Sequence, residues 1–165
     1  MARFAVASKA LRGPFKKLIR NLEITLRKPV IKKLGPVGRK VAGHYRVKDE
    51  ATALRAARNE ARALRAAGGR LPVATSAAVD RTTGRVVGIG HSREQLAIPE
   101  DLLAKLPDPS LEEWPSANCG EVAAASRAIG AGSSLDNLII RTVRTRFETI
   151  YPPCKNCRSW VQGED

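Results

Sequence analysis

Two stretches of sequence decide the fold: residues 116–121, Ser-Ala-Asn-Cys-Gly-Glu, and residues 152–157, Pro-Pro-Cys-Lys-Asn-Cys. Each stretch lies where a helix is expected to begin. A helix N-terminus presents free N–H groups and a partial positive charge, and both favour a thiolate over a thiol. Two such N-termini brought together would offer three thiolates, from Cys119, Cys154 and Cys157, to a single cation.

These three cysteines form a ligand set that suits zinc, which commonly takes thiolates at tetrahedral angles. Three protein ligands leave the fourth position open to water, as in catalytic rather than structural zinc sites. Glu121 lies two residues after Cys119, close enough to reach that water without binding the metal. A carboxylate there can take a proton from water and deliver it to a ring nitrogen and a leaving amine. We therefore predict one zinc ion per chain, with Glu121 as the catalytic acid and base.

Cys-x-Glu, a strand and then Pro-Cys-x-x-Cys together resemble the zinc motifs of the cytidine-deaminase-like superfamily. The likeness is closest to the deaminase domains of bacterial polymorphic toxins, namely the YwqJ-like group and the single-strand DNA deaminase toxins. It covers roughly residues 50–163. It implies an α/β fold, a three-layer sandwich whose small mixed sheet carries the two zinc-binding helices on one face. Superfamily members usually have further strands after the second zinc helix, for which we see no room before Asp165.

The resemblance also implies an activity, the hydrolytic deamination of cytosine to uracil in single-stranded nucleic acid, with DNA favoured over RNA. The biology it implies is that of an antibacterial toxin: a secreted effector domain that acts in the cytoplasm of a recipient bacterium. A cognate immunity protein would neutralise it, and we expect the domain to be a monomer. Two alternative functions stay open: a deaminase of free cytidine, of nucleotides or of RNA bases, and a zinc-stapled nucleic-acid-binding module without catalysis.

Two alternative uses of the cysteines also stay open. One is a closed structural zinc site, with His91 or His44 as the fourth ligand. The other is a Cys-x-x-Cys redox pair, which would leave Cys119 unexplained. An odd number of cysteines argues against a disulfide framework. All three lie in the last 47 residues and two form a Cys-x-x-Cys pair, a grouping that indicates metal or redox chemistry in a reducing compartment.

Several residues near the motifs are candidates for contact with the substrate. They are Asn118, Trp114, Tyr151, Arg144, Arg158 and His91. The two aromatic rings could stack on a base or could be packed in the interior. Asn118 could contact a sugar or base, or could serve as a turn residue. The two arginines are candidates for phosphate contact, whereas His91 is either a substrate contact or simply a polar residue at the end of a strand.

Positive charge is concentrated at the beginning of the chain. Residues 1–48 contain fourteen Lys or Arg and one acidic residue, and so carry a net charge of +13. Residues 49–165 contain fifteen basic and fifteen acidic residues, which cancel. We therefore divide the chain into a basic N-terminal arm, residues 1–48, and a deaminase domain, residues 49–165. The arm is either a solvated linker or a contact for nucleic acid or acidic membranes.

Targeting segments are not predicted. Lys9 and Arg12 interrupt the apolar residues near the N-terminus, so we expect no Sec signal peptide. No stretch approaches the roughly 20 consecutive apolar residues of a membrane helix, so we expect no transmembrane segment.

Periodicity and turn residues predict the remaining elements. Helices are expected over 14–28, 50–67, 119–129 and 153–161, strands over 72–79, 85–91 and 138–147, and an irregular connector over 29–48. The helix over 50–67 carries a stripe of arginines, Arg55, Arg58, Arg62 and Arg65. This arginine stripe is either a solvated face or a binding face.

Overall fold

The computed structural model describes residues 35–161, with side chains described from Arg46 onward. The helix predicted over 14–28 lies outside the described residues. The elements are α1 (Gly35–Ala67), β1 (Ala74–Asp80), β2 (Arg85–His91), α2 (Glu100–Leu103), α3 (Gly120–Gly130), β3 (Leu138–Arg144) and α4 (Lys155–Arg158). Its contacts divide the chain into two units, Met1–His44 and Tyr45–Asp165. The second unit contains the sheet and all three cysteines.

The three strands form an antiparallel sheet in the order β2-β1-β3. β1 lies in the middle and all seven of its residues are buried, which its small side chains allow. The turn between β1 and β2 explains their antiparallel pairing, since a connection this short cannot join parallel strands. The Asp80 carboxylate accepts hydrogen bonds from the backbone N–H groups of Thr82 and Thr83, and Gly84 supplies the positive φ of 67°. The predicted hairpin is confirmed.

Helices cover both faces of the sheet, which confirms the α/β class. On one face, Ala57 and Ala61 of α1 pack against Ala77 and Val143. On the other face, one apolar cluster includes residues of α3, α4, β1 and β3, among them Val122, Cys157, Ala78 and Ile140. Every pair of neighbouring described strands runs antiparallel. The described sheet therefore differs from the mixed sheet that the resemblance implies.

Two glycines of β2 let α3 approach the sheet at backbone distance. A Cβ atom added at Gly90 would lie 2.2 Å from the Ala124 nitrogen, and one added at Gly88 would lie 2.1 Å from the Ala124 oxygen. α3 therefore rests directly on the β2 backbone, and Cys119 and Glu121 at its start are placed by that contact.

Gly90→Ala is expected to destabilise the domain by about 3 kcal/mol, the upper end of the cost of overpacking, because the new methyl group meets backbone atoms. Thermal unfolding should show a Tm lower by roughly 10 °C. Gly130→Ala is the matched control, since nothing lies within 4 Å of its added Cβ. An equal Tm for the two variants would show that α3 does not rest on β2 as described.

α1 begins earlier than predicted. Residues 35–48 are helical, so the prediction of an irregular connector was wrong over this range. Pro36 falls in the first turn, where a backbone N–H has no partner within the helix. Gly38 and Gly43 weaken a helix by about 1 kcal/mol each relative to alanine but do not end it.

The arginine stripe of α1 contacts the chain itself. Arg62 Nε lies 2.7 Å from Glu148 Oε2, and Arg65 also pairs with that carboxylate. Arg58 Nε donates to the Glu148 carbonyl at 3.2 Å, and Arg65 Nη1 donates to the Arg146 carbonyl at 3.1 Å. Three of the four arginines therefore hold residues 145–149, which we call the β3 loop, instead of facing only solvent.

The last two elements are shorter than predicted. β3 ends at Arg144, because the β3 loop turns back there and the Glu148 N–H donates to the Arg144 carbonyl at 2.8 Å. α4 is a single turn ending at Arg158, where a helix through Val161 was predicted. Within residues 35–161, no helix combines the length and apolar composition needed to cross a bilayer.

Candidate metal centre and adjoining cavity

The three cysteines converge as predicted. Cys119 occupies the N-cap of α3, Cys154 occupies the N-cap of α4, and Cys157 lies within α4. All three Sγ atoms lie within 4.8 Å of one another, and those of Cys119 and Cys154 are 3.3 Å apart. A tetrahedral zinc ion with Zn–S bonds of about 2.3 Å places its sulfur ligands about 3.8 Å apart. The cluster can therefore hold one metal ion with small adjustments of the side chains.

The thiols share their protons unequally. Hydrogen bonds from Cys119 and Cys157, with the N–H groups at the start of α4, lower the pKa of Cys154 to about 2. The hydrogen bond between Cys119 and Cys154 raises the pKa of Cys119 to about 12. The pKa of Cys157 is raised mainly by its hydrogen bonds with Cys119 and Cys154. One thiolate held by two thiols is a site from which a soft cation would displace protons.

A histidine does not complete the group among the described residues. His91 Nδ1 lies 3.0 Å from Glu94 and its Nε2 lies 3.2 Å from Glu60, so both ring nitrogens are engaged at the end of β2. The side chain of His44 lies outside the described residues. Within the described part of the chain, the possible metal ligands that cluster are the three cysteines alone, which argues against a closed site with His91.

Glu121 lies on the first turn of α3 and is only 5% exposed. Its Oε1 accepts a hydrogen bond from Thr142 Oγ1 at 2.9 Å. Thr142 Oγ1 also lies 2.8 Å from Ser76 Oγ, and since the threonine proton goes to the carboxylate, Ser76 donates to Thr142. A Cβ on Gly120 would lie 2.8 Å from Ser76 Oγ. The Thr142 hydroxyl therefore holds Glu121, the Ser76 hydroxyl holds Thr142 in turn, and the glycine in Cys-Gly-Glu leaves room for Ser76.

Glu121 and two of the cysteines border a cavity of about 200 Å³. Its lining is Val73, Ala74, Ser92, Arg93, Trp114, Asn118, Cys119, Gly120, Glu121, Tyr151, Pro152 and Cys154. This volume is below the 300–1,000 Å³ of pockets for whole drug-sized ligands. It suits one planar ring, with the remainder of a larger ligand outside.

The structure separates the predicted substrate contacts into two groups. Asn118, Trp114 and Tyr151 line the cavity. The other three candidates are absent from its lining. His91 is turned to Glu60 and Glu94, and Arg158 is exposed on α4. The Arg144 guanidinium lies over the ring of Tyr151, 4.5 Å from its centroid. Their proposed contacts with a base or phosphate would therefore be made outside the cavity.

Sequence reasoning missed the loop after β2, which closes another side of the cavity. Ser92 Oγ accepts the N–H groups of Val73 and Ala74 at 2.9 and 3.1 Å. Arg93 has a φ of 68°, a conformation that costs a non-glycine residue energy, and its N–H donates to the Asn118 carbonyl at 2.8 Å. The loop is thereby joined to the start of β1 and to Asn118, which directly precedes Cys119, although neither Ser92 nor Arg93 belongs to a recognisable motif.

An ion pair between Glu94 and Arg127 also fixes the loop after β2. Glu94 accepts hydrogen bonds from Arg127 Nη1 at 2.6 Å and from the His91 backbone N–H at 2.9 Å. Burial raises the pKa of Glu94, but the hydrogen bonds from Arg127 and His91 outweigh it and hold the pKa at about 2. The carboxylate therefore stays ionised at neutral pH and fixes the loop to α3.

In comparisons with known proteins, no family model, curated protein or solved structure matches this chain. The chain is an α/β protein with a small three-stranded antiparallel sheet, and its three cysteines can bind one metal ion.

Proposed function

We propose that this chain is a zinc-dependent deaminase that converts cytosine to uracil in single-stranded nucleic acid, with DNA the favoured substrate. One observation carries the proposal. A three-thiol cluster and a buried carboxylate, Glu121, meet at one cavity sized for a single ring. A purely structural zinc site has no need of a buried carboxylate that opens on an adjoining cavity.

Cys119, Cys154 and Cys157 would hold the ion. When bound, zinc lowers the pKa of water and so supplies a nucleophile at neutral pH. Glu121 takes the proton released by the water and gives it to the ring nitrogen next to the amine-bearing carbon. It then takes the remaining proton of the added water and delivers it to the amine, which leaves as ammonia, so that water is added and ammonia lost. Thr142 fixes the direction from which the carboxylate acts.

The size and lining of the cavity support an unpaired base as the form of the substrate. A base inside a duplex cannot enter a cavity of about 200 Å³ unless it is taken out of the stack, which costs a few kcal/mol. Trp114 is 40% exposed at the cavity and Tyr151 lines it, which offers aromatic surface for an unpaired base. The net charge of +13 over residues 1–48 favours a polyanion over a free nucleoside.

The resemblance of the two motifs to toxin deaminases supports a biological proposal as well. It places the activity in an antibacterial effector that works in the cytoplasm of a recipient bacterium and is countered by an immunity protein. The same resemblance supports a monomer.

Uracil formation tests the proposal. Zinc-loaded protein is incubated with matched single-stranded and duplex DNA, with RNA and with free cytidine, and uracil is detected by mass spectrometry. We expect single-stranded DNA to react about a hundredfold faster than the duplex, which reflects the cost of unpairing. Equal rates on the two, or turnover of cytidine alone, would contradict the proposed substrate.

Thr142→Val is expected to lower kcat by about tenfold to a hundredfold, since a hydrogen bond to a charged group contributes about 1.5–3 kcal/mol. Thr142→Ser is the control, because it keeps the hydroxyl that donates to Glu121. Steady-state kinetics on the single-stranded substrate separate kcat from KM. If valine and serine variants turn over alike, the hydroxyl does not position Glu121.

A further inference from the structure

A second concave surface adjoins the cavity on the far side of Val73. It is an open groove of about 530 Å³, lined by residues that include Leu71, Pro72, Val73, Arg144, Arg146 and Phe147. Val73 also lines the cavity and is 53% exposed, so it forms the ridge between the two. We call this surface the flanking groove. A ligand seated in the cavity would reach the groove by crossing one side chain.

The flanking groove combines positive charge with an exposed aromatic ring. Within the described part of the chain, Arg144 and Arg146 have no carboxylate partner, whereas Arg62, Arg65 and Arg127 each pair with one. The Arg146 guanidinium lies 5.8 Å from the centroid of the Phe147 ring. Phe147 is 62% exposed, so its ring is accessible to a planar base while the two guanidinium groups are available to a phosphate.

The groove is also held in place. Its two cations and its ring lie on or next to the β3 loop, which Arg58, Arg62 and Arg65 of α1 fix through Glu148. Arg144 is linked to the cavity, since its guanidinium lies over the ring of Tyr151. A loop tied down at this many points presents its exposed groups in one arrangement, which lowers the entropy lost on binding.

We propose that the flanking groove binds the nucleotide next to the target cytosine, with its phosphate at Arg144 and Arg146 and its base against Phe147. This inference rests on the proposed function and adds to it. Recognition of the neighbouring nucleotide makes a nucleic-acid strand a better substrate than a free nucleoside. This preference does not depend on whether the basic N-terminal arm also contacts the strand. It also makes one neighbouring position of the strand matter more than the other.

The test uses single-stranded oligonucleotides with one cytosine, in which the nucleotide on its 5′ side or its 3′ side lacks a base. For the wild-type protein, one of the two replacements should lower kcat/KM about tenfold, at the low end of the effect of removing a stacked aromatic contact. Phe147→Ala should lower kcat/KM on the intact strand by a similar factor. On the base-lacking strand that wild-type protein turns over more slowly, the variant should show no further loss. Leu103→Ala, another exposed apolar side chain, should behave as wild type.

Three results would overturn the groove while leaving the proposed function in place. They are equal rates on the intact and both base-lacking strands, a Phe147→Ala variant that keeps the wild-type preference, and an equal loss by that variant on free cytidine. The first would mean that no neighbour is read, and the others that Phe147 does not read it.

A binding measurement separates this inference from the proposed function. Fluorescence anisotropy follows a labelled single-stranded oligonucleotide on Glu121→Gln protein. Adding Arg146→Gln should weaken binding severalfold and reduce the salt slope by about 0.7, the value for one phosphate contact. If wild-type protein forms no uracil from any substrate, this loss would still support the groove and the proposed function alone would fail. Unchanged affinity and slope would overturn the groove.

Discussion

Glu121→Gln is expected to lower the rate of cytosine deamination by about 10²–10⁴-fold, the usual contribution of a positioned acid and base. Glutamine has nearly the volume of glutamate and still offers an oxygen to the Thr142 hydroxyl, but it cannot take or deliver a proton at neutral pH. Zinc content and Tm should therefore change little. The loss should appear in kcat and kcat/KM together, because the proton is moved only in the reaction itself.

The measurement combines uracil formation with elemental analysis of the same preparation. Ser126→Ala serves as a control on α3: Ser126 is buried and, among the described residues, its hydroxyl has no hydrogen-bond partner. That variant should retain full activity. If Glu121→Gln instead loses its zinc, Glu121 is a metal ligand, and the division of roles between the carboxylate and the cysteines is wrong.

Cys157→Ala is expected to have the largest effect on stability. Cys157 is fully buried between α4 and the sheet, and it is one of the three proposed ligands. A site with two thiolates would bind zinc far more weakly, and the free energy of metal binding is part of the free energy of folding. With zinc at a thousandfold its Kd, that contribution is about 4 kcal/mol.

Thermal unfolding with and without added zinc isolates this effect. Wild-type protein should show a Tm that rises with zinc, and Cys157→Ala should show a lower Tm that zinc does not change. Ser126→Ala again controls for a small change at a buried position. A Cys157→Ala variant that binds zinc and gains stability from it would remove Cys157 from the ligand set.

Local sequence predicted much of the frame of the site. The hairpin follows from Asp80 and Gly84, and the positions of the three cysteines at helix starts follow from their neighbours. Such signals act over a few residues and need no knowledge of the tertiary fold. The same holds for Asn118, which lines the cavity because it directly precedes Cys119.

Contacts between distant parts of the chain were not predictable. Ser76 meets Thr142 only because β1 and β3 pair in register, and the polar side chains of a strand do not reveal which partner they face. Arg62 and Glu148 likewise meet across the fold. The sequence therefore left the arginine stripe open as a solvated or a binding face, and of the residues of the flanking groove it indicated only Arg144, as a candidate for phosphate contact.

Zinc-dependent uracil formation tests the central claim most directly. The protein is stripped with a chelator, zinc is returned in steps, and the uracil formed from single-stranded DNA is measured at each step. The account predicts no activity without zinc and an increase in proportion to the metal up to one ion per chain. Glu121→Gln should bind the same amount of zinc and form almost no uracil. Full zinc binding with no uracil from DNA, RNA or cytidine, or uracil formation that is independent of zinc, would contradict it.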